Sequence, residues 1–196
     1  MRNQVIEAFE RFANLNIVVV GDVMIDAYVW GEVTRISPEA PVPILSKTTH
    51  EARLGGAGNV ALNIRSLGAT PILCSVIGND EKASMLEGLL HESGLPQIGL
   101  VKDSQRVTTV KTRIISQNHH LLRVDEEDSS PVSQTLEAAL INRVHTILEG
   151  NNPVHAIVFE DYDKGVITPG VISGIVELAH KKGIPKVEVM GKIVVR

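Results

Sequence analysis

One cysteine, Cys74, stands in a chain of 196 residues. That excludes an intramolecular disulfide framework and fits a reducing compartment. Cys74 lies in the apolar run Ile72-Leu73-Cys74-Ser75-Val76-Ile77, the setting of a buried strand thiol rather than of a nucleophile. No apolar stretch approaches the roughly 20 residues of a membrane-spanning helix. The first residues carry Glu7, Glu10 and Arg11 and no apolar signal-peptide core, so the expected location is the cytoplasm and no membrane partner is expected. Neither charge sign dominates: 19 Lys and Arg against 23 Asp and Glu leave a net charge of −4. Nucleic acid therefore has no general electrostatic attraction to this chain. The nucleotide signatures G-x-x-x-x-G-K-[ST] and G-x-G-x-x-G are missing, and so is the G-x-S-x-G nucleophile elbow. What remains is ordinary globular material, 43% hydrophobic and 21% charged, long enough to bury the core of one domain.

The pattern along the chain alternates strands with helices. A short amphipathic helix is expected over 4–13 and a buried strand over 16–20. A helix over 57–67 ends at Gly68, a strand covers 71–77, and Asp80 caps a helix that Gly94 stops. A short strand follows at 98–101. Ser133 caps a helix closed by Gly150, 156–159 is another buried strand, and Thr168-Pro169 opens a helix that stops at Gly183. Such alternation predicts an α/β fold, a largely parallel sheet covered by helices on both faces. Two β-rich segments, 28–54 and 101–125, interrupt it and are expected to pair as a small separate sheet. The first flanks the proline-rich turn Ser37-Pro38-Glu39-Ala40-Pro41-Val42-Pro43 with short strands at 28–33 and 42–48. The second is a hairpin of 107–116 and 120–125 around Gln117-Asn118-His119-His120.

Ligands of open α/β sheets bind outside the carboxyl ends of the strands, and three polar clusters fall there. These are Gly21-Asp22-Val23-Met24-Ile25-Asp26, Leu54-Gly55-Gly56-Ala57-Gly58-Asn59 and Glu160-Asp161-Tyr162-Asp163-Lys164-Gly165. Carboxylates accept hydrogen bonds from hydroxyls, glycine admits close backbone approach and lysine pairs with phosphate. A polyhydroxylated or phosphorylated small molecule suits that set. Each cluster also has a plainer reading: Asp22 and Asp26 as turn formers, Lys164 as a turn residue, Lys111, Arg113 and Arg123 as a solvated hairpin face. His119 and His120 lack metal-ligand spacing, and no metal ligands are expected.

Taken together, the clusters resemble the ribokinase-like, or PfkB-type, carbohydrate kinases. Gly55-Gly56-Ala57-Gly58-Asn59-Val60-Ala61, Leu67-Gly68 and Gly78-Asn79-Asp80 are similar to that family's first signature, and Gly21-Asp22-x-x-x-Asp26 to its N-terminal substrate turn. Within the family, residues 31–43, Lys111-Thr112-Arg113, Leu122-Arg123-Val124-Asp125 and Asp161-Tyr162-Asp163-Lys164-Gly165 resemble D-glycero-β-D-manno-heptose-7-phosphate kinases. Those enzymes form the kinase part of ADP-heptose synthesis for bacterial lipopolysaccharide and are often fused to a nucleotidyltransferase. The resemblance covers about residues 5–185. It implies a ribokinase-like sheet with a small β-lid over the sugar. It also implies ATP and magnesium as cofactors of the complete enzyme, a sugar phosphate as substrate, and a homodimer through the lid. By it, Asp26, Gly55, Gly56 and Asn59 bind sugar hydroxyls, with Asp22 a weaker candidate. Lys111, Arg113 and Lys164 take the substrate phosphate.

The sequence also departs from that family. Its Gly-Ala-Gly-Asp segment, which supplies an anion hole and a catalytic aspartate, is missing here, as is its Asn-x-x-Glu element, so no catalytic residue is assigned. Residues 1–185 read as the N-terminal part of the kinase domain, with the C-terminal half of the fold missing, and 186–196 as a divergent tail, open to forming a strand. A sheet cut midway is expected to expose an edge and to self-associate. The function expected is a heptose-7-phosphate kinase in truncated form, inactive alone. The alternatives are a non-catalytic sugar-phosphate binder, or another PfkB-type kinase such as a ribokinase or a fructose-phosphate kinase.

Overall fold

The structure, a computed structural model, describes residues 9–184 and 187–191. Of the helix expected over 4–13, only the part from residue 9 onward lies within them. Five strands form a parallel sheet: β1 (Asn16–Gly21), β4 (Thr70–Gly78), β5 (Gly99–Asp103), β8 (Ala156–Asp161) and β9 (Val187–Gly191). Their spatial order is β5-β4-β1-β8-β9. The chain starts at the centre, builds outward to one edge, then returns to the other side of β1. A topological switch point therefore lies between β1 and β8, where open α/β sheets form their ligand crevice.

Strand alternation divides the core. On one face Val18, Val20, Ile157 and Phe159 pack with Leu140 and Val144 of α3 (Gln134–Leu148) and Val171 and Ile175 of α4 (Pro169–Lys181). On the other, Val19 and Leu73 pack with Ala57 and Ala61 of α1 (Ala57–Ser66) and Leu86 and Leu90 of α2 (Glu81–Glu92). Strands buried on both faces read as continuous apolar runs, as these do. Cys74 is a β4 core residue whose burial pushes the thiol up to about 12, which keeps it protonated and inert.

The helix starts are chemical. Asp80 Oδ1 accepts from the Ala83 amide at 2.7 Å, Ser133 Oγ from Leu136 at 3.4 Å and Thr168 Oγ1 from Val171 at 3.1 Å. Each satisfies an amide that the first helical turn leaves unpaired.

The second sheet, order β3-β2-β6-β7, is the lid. It consists of β2 (Val23–Ile36), β3 (Pro43–Gly56), β6 (Val110–Ser116) and β7 (His119–Glu126). β2 runs antiparallel to β3 and parallel to β6, and β6 and β7 form a hairpin. Gln117 (φ 48°) and Asn118 (φ 64°) close that hairpin in the left-handed region, as a two-residue turn requires. Three boundaries differ from the sequence expectation. The strands expected at 28–33 and 42–48 extend to 14 residues each, because β2 continues directly from the end of β1. Residues 99–103 belong to the main sheet, where Leu100 is buried beside Leu73; the chain enters the lid only at Val110. Residues 107–109, expected as strand, precede β6. The tail expected over 186–196 contributes β9, parallel to β8; its last residues lie outside the described ones.

Candidate functional site

At the switch point the chain leaves the ends of β1 and β8, and from β1 it runs on into β2 of the second sheet. Asp22 follows β1, and its side chain is 1% exposed. Its Oδ2 accepts from the amides of Tyr162 (2.8 Å) and Lys164 (3.1 Å), and its Oδ1 from the amide of Val166 (3.1 Å). Asp163 (φ 58°) and Gly165 (φ 80°) curl the loop around this carboxylate. Burial outweighs these donors and raises the Asp22 carboxyl above the ordinary aspartate range. Asp22 thus acts on the loop: both oxygens face backbone amides, but of a segment about 140 residues away rather than of the local backbone that a turn former bonds.

The Asp22 carbonyl also accepts from the Ala57 amide at 3.0 Å, which ties β1 to the entrance of α1. This requires Gly56 at φ 55°, because a Cβ there would lie 2.2 Å from the Asp22 oxygen. Gly55 has a different reason: a Cβ on it would stand 2.4 Å from Asp26 Oδ2. The two glycines let backbone meet backbone at one and a carboxylate reach the crevice at the other. Asn59 is exposed in the first turn of α1.

Asp26 lies on the lid face that carries Tyr28 and Trp30, one strand period apart. Across the parallel β2–β6 pair, Arg113 Nη1 donates to Asp26 Oδ1 at 2.5 Å, both side chains being 23% exposed. The guanidinium also stands over the Tyr28 ring, 5.3 Å from its centroid, with Arg53 at 5.4 Å from the same ring. Trp30 stacks on Tyr28 at 5.5 Å. Arg113 is therefore oriented by a carboxylate and an aromatic face together.

Lys111 and Lys164 meet through a residue that the sequence reading passes over. Glu127 Oε2 lies 2.6 Å from Lys111 Nζ and Glu127 Oε1 lies 3.0 Å from Lys164 Nζ. Lys111 also contacts Asp125 at 3.0 Å. Burial opposes ionisation of Glu127, yet the bonds from Lys111 and Lys164 prevail and hold its carboxyl below the usual glutamate value. A depressed carboxyl contributes stability at neutral pH, and that contribution is lost as pH falls through the folded value.

Two further residues escape sequence reasoning. Arg106, 8% exposed, donates through Nη2 to the carbonyls of Asp128 (2.8 Å), Ser130 (2.9 Å) and Lys164 (2.6 Å). Glu160 is buried, and among the described residues its Oε2 has no hydrogen-bond partner; burial raises its carboxyl, Tyr162 opposes this, and Asp161 and Asp22 add to it. The acidic run Asp125-Glu126-Glu127-Asp128 was the visible signal for Glu127, but nothing local distinguishes it from a solvated loop.

Of the sequence candidates, Asp26, Gly55 and Arg113 converge directly, and Lys111 and Lys164 converge through Glu127. Among the described residues no three His, Cys, Asp or Glu side chains group as a metal site, and no helix is long and apolar enough to cross a membrane.

The sequence model of the family described as pfkB family carbohydrate kinase matches residues 14–157. The bifunctional protein HldE of Citrifermentans bemidjiense is 39% identical over 186 residues, covering 95% of this chain and 38% of that protein. Its counterpart from Caulobacter vibrioides is 44% identical over 175 residues, covering 89% and 35%. The chain thus spans little more than a third of the length of these curated relatives. A carbohydrate kinase structure from Agrobacterium tumefaciens shares the fold with a TM-score of 0.61 at 16% identity, over 90% of this chain and 53% of that one.

Proposed function

This chain belongs to the pfkB family of carbohydrate kinases, and on that premise we propose that it forms the acceptor-sugar side of a kinase of ADP-heptose synthesis. The substrate is D-glycero-β-D-manno-heptose 7-phosphate, phosphorylated at C1. The observation that carries this reading is the pairing, on one face of the second sheet, of a hydroxyl-accepting carboxylate with partly buried cations. Asp26 Oδ2 packs against the side-chain-free backbone of Gly55, and its remaining acceptor capacity suits the hydroxyl hydrogens of a sugar. Asn59 and Gly56 lie at the same helix entrance. Lys111, Lys164 and Arg113 supply the charge for a phosphate dianion, and a guanidinium held by Tyr28 and Asp26 presents its remaining donors in a fixed fork.

Kinases of this family use ATP with a divalent metal ion. The described residues offer no metal cluster, and the cations present sit on lid and loop rather than at a helix entrance that would cradle a triphosphate. They do not fit a nucleotide–metal complex, and the chemistry assigned to this chain is the binding and orientation of the sugar phosphate.

Calorimetric titration tests the reading. Heptose 7-phosphate is expected to bind and to raise the melting temperature, and Asp26→Asn to weaken binding by about tenfold or more through loss of a charged acceptor. Stabilisation by ribose but not by heptose phosphate would defeat the choice of substrate. ATP consumption that depends on heptose 7-phosphate separates a kinase from a non-catalytic binder of the same sugar.

We propose a homodimer through the lid as well. Val29, Ile114 and Leu122 are successive cross-strand neighbours on the face away from the crevice, and Leu122 is 57% exposed. Sedimentation velocity should show a dimer that Leu122→Asp weakens; an unchanged monomer in both forms would exclude a lid interface.

A further inference from the structure

We propose that Glu127 is an internal stand-in for the ligand's phosphate, and that the incoming anion displaces it from Lys111 and Lys164. The inference rests on the sugar-phosphate reading of this site and adds what holds its two lysines before the anion binds.

The geometry is that of an occupied anion site. The two ammonium groups come from distant parts of the chain, Lys111 from β6 of the lid and Lys164 from the loop after β8. Their side chains are only 14% and 17% exposed. One carboxylate bridges them, each oxygen taking one lysine. A phosphate bound there would present its oxygens to the same two donors. Two cations brought this close without an anion would repel each other, and partial burial would raise that cost. Glu127 offsets both effects and keeps the lid and the loop in register.

The same contact makes the lysines unavailable. Counting Asp125 on Lys111, each lysine already has a carboxylate partner, so neither ammonium group is free to pair with a dianion. Arg123 sits on Asp125 at 2.9 Å, which anchors Asp125 on the lid independently of the ligand. Among the described residues, Glu127 shows no such second anchor: its side-chain hydrogen bonds go to the two lysines. It is also the first residue past the end of β7, where the strand ladder no longer holds the backbone. Rotation of that one side chain releases Lys164 and leaves Lys111 with Asp125 as its remaining carboxylate. The displacement makes the site selective by charge, since a neutral sugar cannot replace the carboxylate whereas a phosphate can.

The full chain is titrated with inorganic phosphate, followed by 31P line broadening, and separately with heptose 7-phosphate by calorimetry. Glu127→Gln keeps the side chain's size and removes its charge. It is expected to bind inorganic phosphate about tenfold more tightly than the wild type, as suits the release of two charge-assisted hydrogen bonds. Adding Lys164→Met to Glu127→Gln should abolish the gain. Asp125→Asn, a second variant that touches Lys111 but not Lys164, should give a smaller gain. Equal or weaker phosphate binding by Glu127→Gln, with a melting curve like that of the wild type, would overturn the proposal. So would a gain that survives Lys164→Met, or no phosphate binding in any form. If inorganic phosphate behaves as expected and heptose 7-phosphate binds to none of the proteins, the substrate reading fails while the role of Glu127 stands.

Discussion

Asp22→Ala is expected to cost about 3 kcal/mol of folding stability or more. The substitution removes no apolar packing of consequence. It strips the acceptor from three amides, those of Tyr162, Lys164 and Val166, in a place where water has little access. A buried donor left unpaired costs roughly 1–3 kcal/mol, and partial opening of the loop relieves some of the total. Urea denaturation measures the loss; a change below about 1 kcal/mol would refute the clasp. Hydrogen exchange adds a local readout: the amides of residues 162, 164 and 166 should lose protection well beyond the global change. Asp22→Asn should fall between, because its amide group retains one acceptor oxygen but turns an N–H toward N–H donors. The pH dependence has a definite sign. Burial holds the folded Asp22 carboxyl above its unfolded value, so the folded protein binds that proton more tightly. Its contribution to stability therefore rises as pH falls through the folded value toward the unfolded one. Asp22→Asn removes that slope, which a comparison of the two stability curves would reveal.

Arg106→Met should be the second costly change, at about 2–4 kcal/mol. Methionine keeps the apolar stem packed, so the loss isolates the guanidinium. One nitrogen of that group gathers the carbonyls of Asp128, Ser130 and Lys164, and the Asp128 carboxylate stands 3.8 Å away. The residue thereby joins the segment after β7 to the loop after β8, the two pieces that carry Glu127 and Lys164. Exchange protection should fall in both together, and phosphate affinity should fall with it. Arg106→Lys is expected to restore only part of the stability, because a point charge cannot reproduce the planar spread of donors. If Arg106→Met unfolds at the same urea concentration as the wild type, the residue is not a staple.

Those two residues mark where sequence reasoning stopped. Asp22 was visible as a polar residue at a strand end, and both of its readings, ligand and turn former, were open. Its partners are about 140 positions away, and no local pattern names them. Arg106 sits in a loop whose composition suggests only exposure. Glu127 belongs to an acidic run that, by itself, reads as solvated. In each case the deciding fact is which backbone or side-chain group arrives opposite a long polar side chain, and that depends on how the lid and the main sheet meet.

The lid boundaries failed for a related reason. Residues 99–103 and 110–116 are similar stretches of β-forming sequence, yet one completes the main sheet and the other the lid. A strand's intrinsic preference does not choose its partner; burial of Leu100 against the core does. The parallel pairing of β2 with β6 is likewise a product of long-range register.

What the sequence by itself determined is the local grammar. Continuous apolar runs became the strands of a doubly covered parallel sheet. Asp80, Ser133 and Thr168 capped their helices, and Gly68, Gly94 and Gly183, all at positive φ, stopped theirs. These follow from forces acting within a few residues: side-chain size, cap hydrogen bonds and the freedom of glycine. The glycines at 55 and 56 belong here too, since their presence was legible even before their contacts were. Only the tertiary structure decided the charges. It paired Arg113 with Asp26, gave Lys111 and Lys164 a shared carboxylate, and spent Asp22 on backbone amides. Charged side chains are long, and their interaction energy depends on separation and solvent exposure; both quantities exist only once the two sheets have come together.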